Sequence, residues 1–250
     1  MRSGGSLRAG KLYGDAEGVA MRTTLITGAN RGLGLALATR YAARPETHVI
    51  ATARDRATAS DLTRLAETHA GIVTILEADV ADDASIANVA ATIARGGTTI
   101  DLLVNNAGTA NFDAFGDVAA DDAAEMYRVN ALGPLLLTQA LRGSLAHGAT
   151  VVNMTSILGS IERADASLAL AYSMSKAALN MVTKQLAVAL RGDDIAVLSL
   201  HPGWVRTRMG GDGATLTVDQ SADGMVRVID GFDLARSGAY LTYDGSPLPW

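Results

Sequence analysis

Thr23-Thr24-Leu25-Ile26-Thr27-Gly28-Ala29-Asn30-Arg31-Gly32-Leu33-Gly34 decides how the rest of the chain is read. Its first residues are all β-branched or aliphatic and read as a buried strand, whereas the glycines lead into an Ala- and Leu-rich segment of helical character. Glycines at such a junction allow a tight turn and let the backbone come close to an anionic phosphate held at the positive helix N-terminus. The spacing is G-x-x-x-G-x-G, so taken alone it is only a glycine-rich strand-to-helix turn.

Working outward, the chain from Arg22 onward alternates short aliphatic runs with longer Ala- and Leu-rich segments, the pattern of repeated βα units. Strands are expected at Thr23–Thr27, His48–Thr52, Ile72–Glu77, Leu102–Asn105, Thr150–Asn153, Ala196–Leu200 and Ala239–Thr242. Helices are expected at Gly32–Ala43, Ala57–Thr68, Ala84–Ala94, Ala120–Leu145, Ala171–Leu190 and Val218–Ile229, on both faces of the sheet because parallel crossovers are right-handed. The fold class is α/β: a single domain over 22–250 with a doubly wound, seven-stranded parallel sheet. Residues 1–21, rich in Gly, Ser and Arg and without period, read as a disordered extension or tag. The helices Ala120–Leu145 and Ala171–Leu190 are apolar over more than one face, which points to a homodimer or homotetramer.

Composition narrows the function classes. With 48% hydrophobic and 19% charged residues among 250, the chain has the make-up of a globular protein. A net charge of -5 argues against a nucleic-acid partner, which needs clustered Lys and Arg. There is no cysteine, and His48, His69, His147 and His201 have none of the short spacings of a metal motif, so no metal is expected. No apolar run approaches a membrane span and no hydrophobic leader is present, so the expectation is a cytoplasmic protein acting on a small molecule.

Tyr172-Ser173-Met174-Ser175-Lys176 places a phenol and an ammonium at i and i+4 on one helix face. Lysine occurs only at positions 11, 176 and 184, so the residue type used most sparingly among the cations stands where a compact ammonium would be wanted. Coulomb attraction at about 4 Å and an effective dielectric of about 20 predicts that the ammonium lowers the phenol pKa by up to about three units, towards a usable acid/base.

Together these motifs resemble the short-chain dehydrogenase/reductase family. Its T-G-x-x-x-G-x-G matches Thr27 to Gly34, with Gly28, Asn30, Arg31, Gly32, Leu33 and Gly34 implied to face the cofactor. Asp79-Val80 matches the acidic site beside the adenine, and Asn105-Asn106-Ala107-Gly108 matches N-N-A-G next to the cofactor. The resemblance implies catalysis by Asn130, Ser156, Tyr172 and Lys176, the last two also binding the cofactor, and nicotinamide contacts from Pro202, Gly203, Val205 and Thr207. It also implies the Rossmann strand order 3-2-1-4-5-6-7. His201 reads as a packed strand-end residue rather than a base.

The second strand ends Thr52-Ala53-Arg54-Asp55. In the family register, Ala53 replaces the acid that binds a ribose 2′-hydroxyl, and Arg54, with Arg31, would hold a 2′-phosphate. NADP(H) follows; if the strand runs two residues further, Asp55 becomes the ribose ligand and NAD(H) returns.

Ile157, Leu158, Trp204 and Met209 are expected near the substrate, with Asn111 and Phe112 as another wall and Gly210-Gly211-Asp212-Gly213 in a lid. The glycine turn, Ser156-Ile157-Leu158-Gly159-Ser160 and the ending Tyr243 to Trp250 look like the sniffer-type carbonyl reductases and C-factor-like proteins. That likeness implies a small or medium carbonyl or alcohol substrate, with a cofactor-binding signalling protein of little turnover as the alternative. Pro249-Trp250 would tuck into its own domain or a neighbour's.

Overall fold

The computed structural model of the protein describes residues 21–165, 167 and 169–250, so all but Met21 of the expected extension lies outside the described residues. Seven strands form one parallel sheet: β1 (Arg22–Ile26), β2 (Thr47–Ala53), β3 (Val73–Glu77), β4 (Ile100–Asn105), β5 (Leu145–Met154), β6 (Ala196–His201) and β7 (Ala239–Thr242). Their order is β3-β2-β1-β4-β5-β6-β7, as expected. The order of strand addition reverses between β1 and β4, which opens the crevice where this topology places ligands.

Helices cover both faces, which is why β2 is buried at every position and the strands read as continuous apolar runs. Successive strand residues point to opposite faces. Ile26 accordingly joins a core with Leu37 and Ala38 of α1 (Gly32–Ala42), Leu62 of α2 (Ser60–Thr68), and Met225 and Ile229 of α7 (Val218–Asp230). Leu25 joins the other core, with Ile86, Val89 and Ile93 of α3 (Asp83–Arg95) and residues of α5 (Gly133–Leu141) and α6 (Leu170–Ala189).

The expected helix Ala120–Leu145 is a correction. It divides into α4 (Ala120–Tyr127), a π-helical turn Arg128–Leu132, α5, and a tight turn Arg142–Ser144, after which Leu145 already belongs to β5. The break has a tertiary cause. At Gly133 the backbone passes so close to Val80 that an added Cβ would lie 2.5 Å from the Val80 carbonyl, and Arg128 is tied to Ala81 O at 2.9 Å and to Asp83. β5 starts five residues before the expected Thr150 because Leu145 pairs with Ile100, with a register shift before Leu102 meets Thr150. Among the described residues, no helix is long and apolar enough to cross a membrane.

Candidate active site

The glycine turn lies between β1 and α1. Gly28 adopts a positive φ of 64°, and a side chain there would meet the Ala107 backbone at 2.9 Å. Asn106 braces the turn: its Nδ2 donates to Thr27 O at 2.9 Å and to Gly28 O at 3.1 Å. Thr27 Oγ1 accepts the Asn106 and Ala107 N–H groups at 3.0 Å. Leu33 is half-buried, packed against the core.

α1 begins at Gly32 without a side-chain cap or an acid in its first turn, whereas α3 is capped by Asp82 and α7 by Thr217. Its first N–H groups are therefore left for an external anion. The uncapped N–H groups, the closely braced glycines and the adjacent arginines fit the phosphates of a dinucleotide. Arg31 and Arg54 are both exposed, with Arg54 directly beyond the buried Ala53 that ends β2. Asp55 is engaged elsewhere, its Oδ1 accepting the Ala57 N–H at 2.8 Å. This local turn also explains why α2 starts at Ser60 rather than Ala57. Asp79 accepts the Ala81 N–H at 2.9 Å, and Val80 is buried against Gly133.

Asn130, Ser156, Tyr172 and Lys176 converge beyond the C-terminal ends of β4 and β5. Asn130 sits in the π-helical turn, fully buried, with its amide fully used: Oδ1 accepts Thr109 N at 2.9 Å, and Nδ2 donates to Thr109 O at 2.8 Å and Ser175 Oγ at 2.9 Å. Gly108 passes alongside, 3.2 Å from Asn130 Oδ1 and 3.7 Å from Lys176 Nζ when measured from a Cβ placed on it. Lys176 Nζ donates to Met154 O at 2.8 Å and lies 5.7 Å from the centre of the Tyr172 ring. Ser156 lies just beyond β5, its Oγ accepting the Leu158 N–H at 3.2 Å and lying close enough to the Tyr172 phenol to favour its ionised form.

The electrostatics depart from the Coulomb expectation. Burial pushes the Tyr172 phenol up to about 12, with the Ser156 hydrogen bond acting in the opposite direction. Burial likewise pulls the Lys176 ammonium down to about 8. Desolvation dominates because both groups are withdrawn from water and each disfavours its own charged form.

Apart from Asn105, a second set of polar residues escaped the sequence reading. Asn105 Nδ2 donates to Asn153 Oδ1 at 2.9 Å and to Thr138 Oγ1 at 3.3 Å, and Asn153 Nδ2 donates to Thr183 Oγ1 at 2.9 Å. Ser199 Oγ donates to Thr183 Oγ1 at 2.8 Å and meets Asn180 Oδ1 at 3.0 Å, where Thr155 Oγ1 also donates. This buried row runs across β4, β5 and β6 beneath α5 and α6, and Asn180 Nδ2 carries it to Gly159 O, at 3.0 Å, in the segment after Ser156.

After β6, Gly203 takes φ +81° against Leu216, and Pro202 O accepts the Ser221 hydroxyl at 2.6 Å. Val205 is buried and bridges Leu216; Thr207 stands 3.7 Å from a Cβ placed on Gly32, across the crevice from the phosphate turn. Trp204 Nε1 donates to Gly210 O at 2.8 Å and Gly210 N to Thr207 Oγ1 at 3.1 Å, so the expected lid is tied to itself rather than extended. His201 is mostly buried, its Nδ1 lacks a partner among the described residues, and burial pulls it down to about 4, a neutral packed imidazole. Phe112 stacks at 5.9 Å on Tyr172, while Asn111 turns to α4 through Met126 and Asp122. Leu158 packs beside Tyr172, Ile157 is half-buried, and Trp204 and Met209 are exposed. Pro249-Trp250 folds onto its own domain, with Trp250 5.1 Å from Tyr240.

Residues 22–215 match the short chain dehydrogenase family. The C-signal of Myxococcus xanthus is 44% identical over 154 residues, which are 60% of this chain and 93% of that protein. A solved structure of an NADPH-bound carbonyl reductase from chicken fatty liver superimposes with a TM-score of 0.87 at 36% identity, covering 93% of this chain and all of that one (100%). The carbonyl reductase Sniffer of D. melanogaster gives 0.87 at 35% identity, over 92% of this chain and 100% of its own.

Proposed function

Because the chain belongs to the short chain dehydrogenase family, we propose that it is an NADP(H)-dependent oxidoreductase interconverting a small or medium carbonyl compound and its alcohol. The observation that carries this reading is the meeting of Ser156, Tyr172 and Lys176, with the Lys176 ammonium 5.7 Å from the Tyr172 ring centre, and an uncapped, arginine-flanked helix end across the crevice. Arg54 and Arg31 would hold the 2′-phosphate, since Ala53 offers no carboxylate and Asp55 is engaged in its own turn. The likeness to an NADPH-bound carbonyl reductase supports the same cofactor.

The bound nicotinamide would supply or accept the hydride. Ser156 and Tyr172 hold the substrate oxygen, Ser156 by its hydroxyl and Tyr172 by the proton at Oη. In reduction Tyr172 gives that proton to the developing alkoxide. A phenol pushed up to about 12 is fully protonated at neutral pH, which suits the reductive direction. Lys176, easily deprotonated at its depressed value, would bind ribose and return a proton to Tyr172, and Asn130 holds the π-helical turn beside it. Met174, Met181 and Val188, exposed at seven-residue intervals along α6, support a homo-oligomer pairing through that helix.

Similarity to the C-signal favours a second reading, in which cofactor binding serves signalling with little turnover. NADPH oxidation against aldehydes, ketones, diketones and quinones, with NADH and Tyr172→Phe alongside, separates the two. Turnover that prefers NADPH and disappears in the variant is expected; NADPH binding without turnover across the panel would favour signalling.

A further inference from the structure

The peptide that carries Ser156 is fastened by Tyr240 of the edge strand β7, which none of the motifs includes, and by the C-terminal segment that follows it. Tyr240, in β7 and 2% exposed, donates its hydroxyl to the Ser156 carbonyl at 2.5 Å, and the same hydroxyl meets Asn180 of the buried polar row. Its ring is fixed in turn: Trp250 stacks on it at 5.1 Å and 32°, with Lys184 Nζ 5.1 Å from the Trp250 ring centre. Leu248 N donates to Tyr240 O at 2.8 Å, so the returning segment is pinned beside β7. That segment also reaches the other end of the peptide: Ser160 Oγ donates to Pro249 O at 2.7 Å, and Ile161 N donates to Trp250 O. Between the two ends, Gly159 presses on Lys176 so closely that a Cβ would lie 2.8 Å from its carbonyl carbon.

We propose that Tyr240, locked by Trp250, is a positioning residue that fixes the Ser156 backbone so that the Ser156 hydroxyl meets the Tyr172 phenol. Tyr240 touches neither the substrate nor the proton in flight; it acts through Ser156. This inference rests on the reading of Ser156 and Tyr172 as catalytic. A buried peptide following a strand could rotate about its own axis and carry the serine hydroxyl away from the phenol, and a hydrogen bond to the serine's own carbonyl resists that rotation. The other charged or titratable groups facing this cluster are Lys176 on α6, Arg163 in the following loop, and Lys184 behind Trp250.

Tyr240→Phe removes one hydroxyl and keeps the ring stack, so it is the variant to make. Expected are a drop in kcat of about tenfold, the loss of roughly one hydrogen bond's positioning, and an NADPH KM within about twofold of the parent. In the alcohol-oxidation direction Tyr172 must be deprotonated, and a hydrogen bond from Ser156 favours the phenolate; releasing Ser156 therefore moves the pH midpoint upward. In a Ser156→Ala background, Tyr240→Phe should leave kcat unchanged, because its effect on turnover passes through the serine hydroxyl, and the midpoint there should move only downward, since the Tyr240 phenol itself raises that of Tyr172. Trp250→Ala should reproduce the kcat loss in smaller measure, and Trp250→Phe should restore it. An unchanged kcat in Tyr240→Phe, or equal losses in the parent and Ser156→Ala backgrounds, overturns the inference. Tyr172→Phe measured in parallel keeps the two claims apart: retained turnover there sinks the catalytic assignment itself, whereas a dead Tyr172→Phe with additive Tyr240→Phe losses sinks only the role of Tyr240.

Discussion

Replacing Gly34 with alanine sets two effects of opposite sign against each other. Gly34 lies in the first turn of α1, where alanine is preferred to glycine by about 1 kcal/mol, so local propensity predicts a more stable protein. Packing predicts the reverse: the new Cβ would lie 2.4 Å from Gly28 O and 2.5 Å from Asn106 Nδ2. Neither neighbour is a free side-chain tip, since one is backbone and the other is held by hydrogen bonds to Thr27 O and Gly28 O. Overpacking costs about 1–3 kcal/mol, and weakening the two Asn106 bonds adds about 1 kcal/mol each. Against the propensity gain, the net loss is about 2–4 kcal/mol. The free protein can relieve it by letting α1 ride outward, but a bound pyrophosphate needs the turn in place, so the cost falls on binding. Gly34→Ala should thus weaken NADPH binding by about 30- to 900-fold, read by fluorescence titration, with the urea midpoint measured alongside. An NADPH Kd within about threefold of the parent, with an equal or higher urea midpoint, would refute the reasoning.

Two further outcomes follow from the buried groups. Asn153→Ala leaves Asn105 Nδ2 with only the 3.3 Å contact to Thr138 and takes from Thr183 a hydrogen-bond donor, so it should lower stability by about 2–5 kcal/mol; a urea midpoint unchanged at constant m-value would contradict this. Lys176, pulled down from 10.5 to about 8, releases its proton in the folded protein while the unfolded chain still holds it, so stability should climb from about pH 8 towards 10. Above pH 10 the phenol of Tyr172, raised to about 12, keeps its proton only in the folded state and works the other way. The climb should vanish in Lys176→Met, and an equal slope in that variant would remove Lys176 as its source.

What could be read from the sequence was what lies close together along it. The strands announced themselves as apolar runs because both faces of the sheet are covered, and the Tyr172–Lys176 pair shares one helix face. The glycine turn was visible because its strand and helix flank it directly. The break of Ala120–Leu145 was hidden because its cause, the passage of Gly133 over Val80, joins positions on different elements. Tyr240, Asn180 and Ser199 gave no local signal, since their partners lie on other strands or on α6. The phenol acidity was misjudged for a related reason: spacing along a helix reports proximity of charge but not the loss of water around it, and here desolvation dominates.

The polar row beneath α5 and α6 has a consequence for how the sheet assembles. Asn105, Asn153 and Ser199 are direct neighbours across β4, β5 and β6. If β5 docked one residue out of step, its aliphatic neighbours Val152 or Met154 would stand where Asn153 belongs, and Asn153 would turn to the opposite core. The amide of Asn105 and the hydroxyl of Thr183 would then face hydrocarbon, each at about 1–3 kcal/mol. An all-aliphatic centre would accept such a mistake with little complaint. The asparagines thus act as proofreaders of strand pairing, penalising a slipped sheet once α6 lies on it.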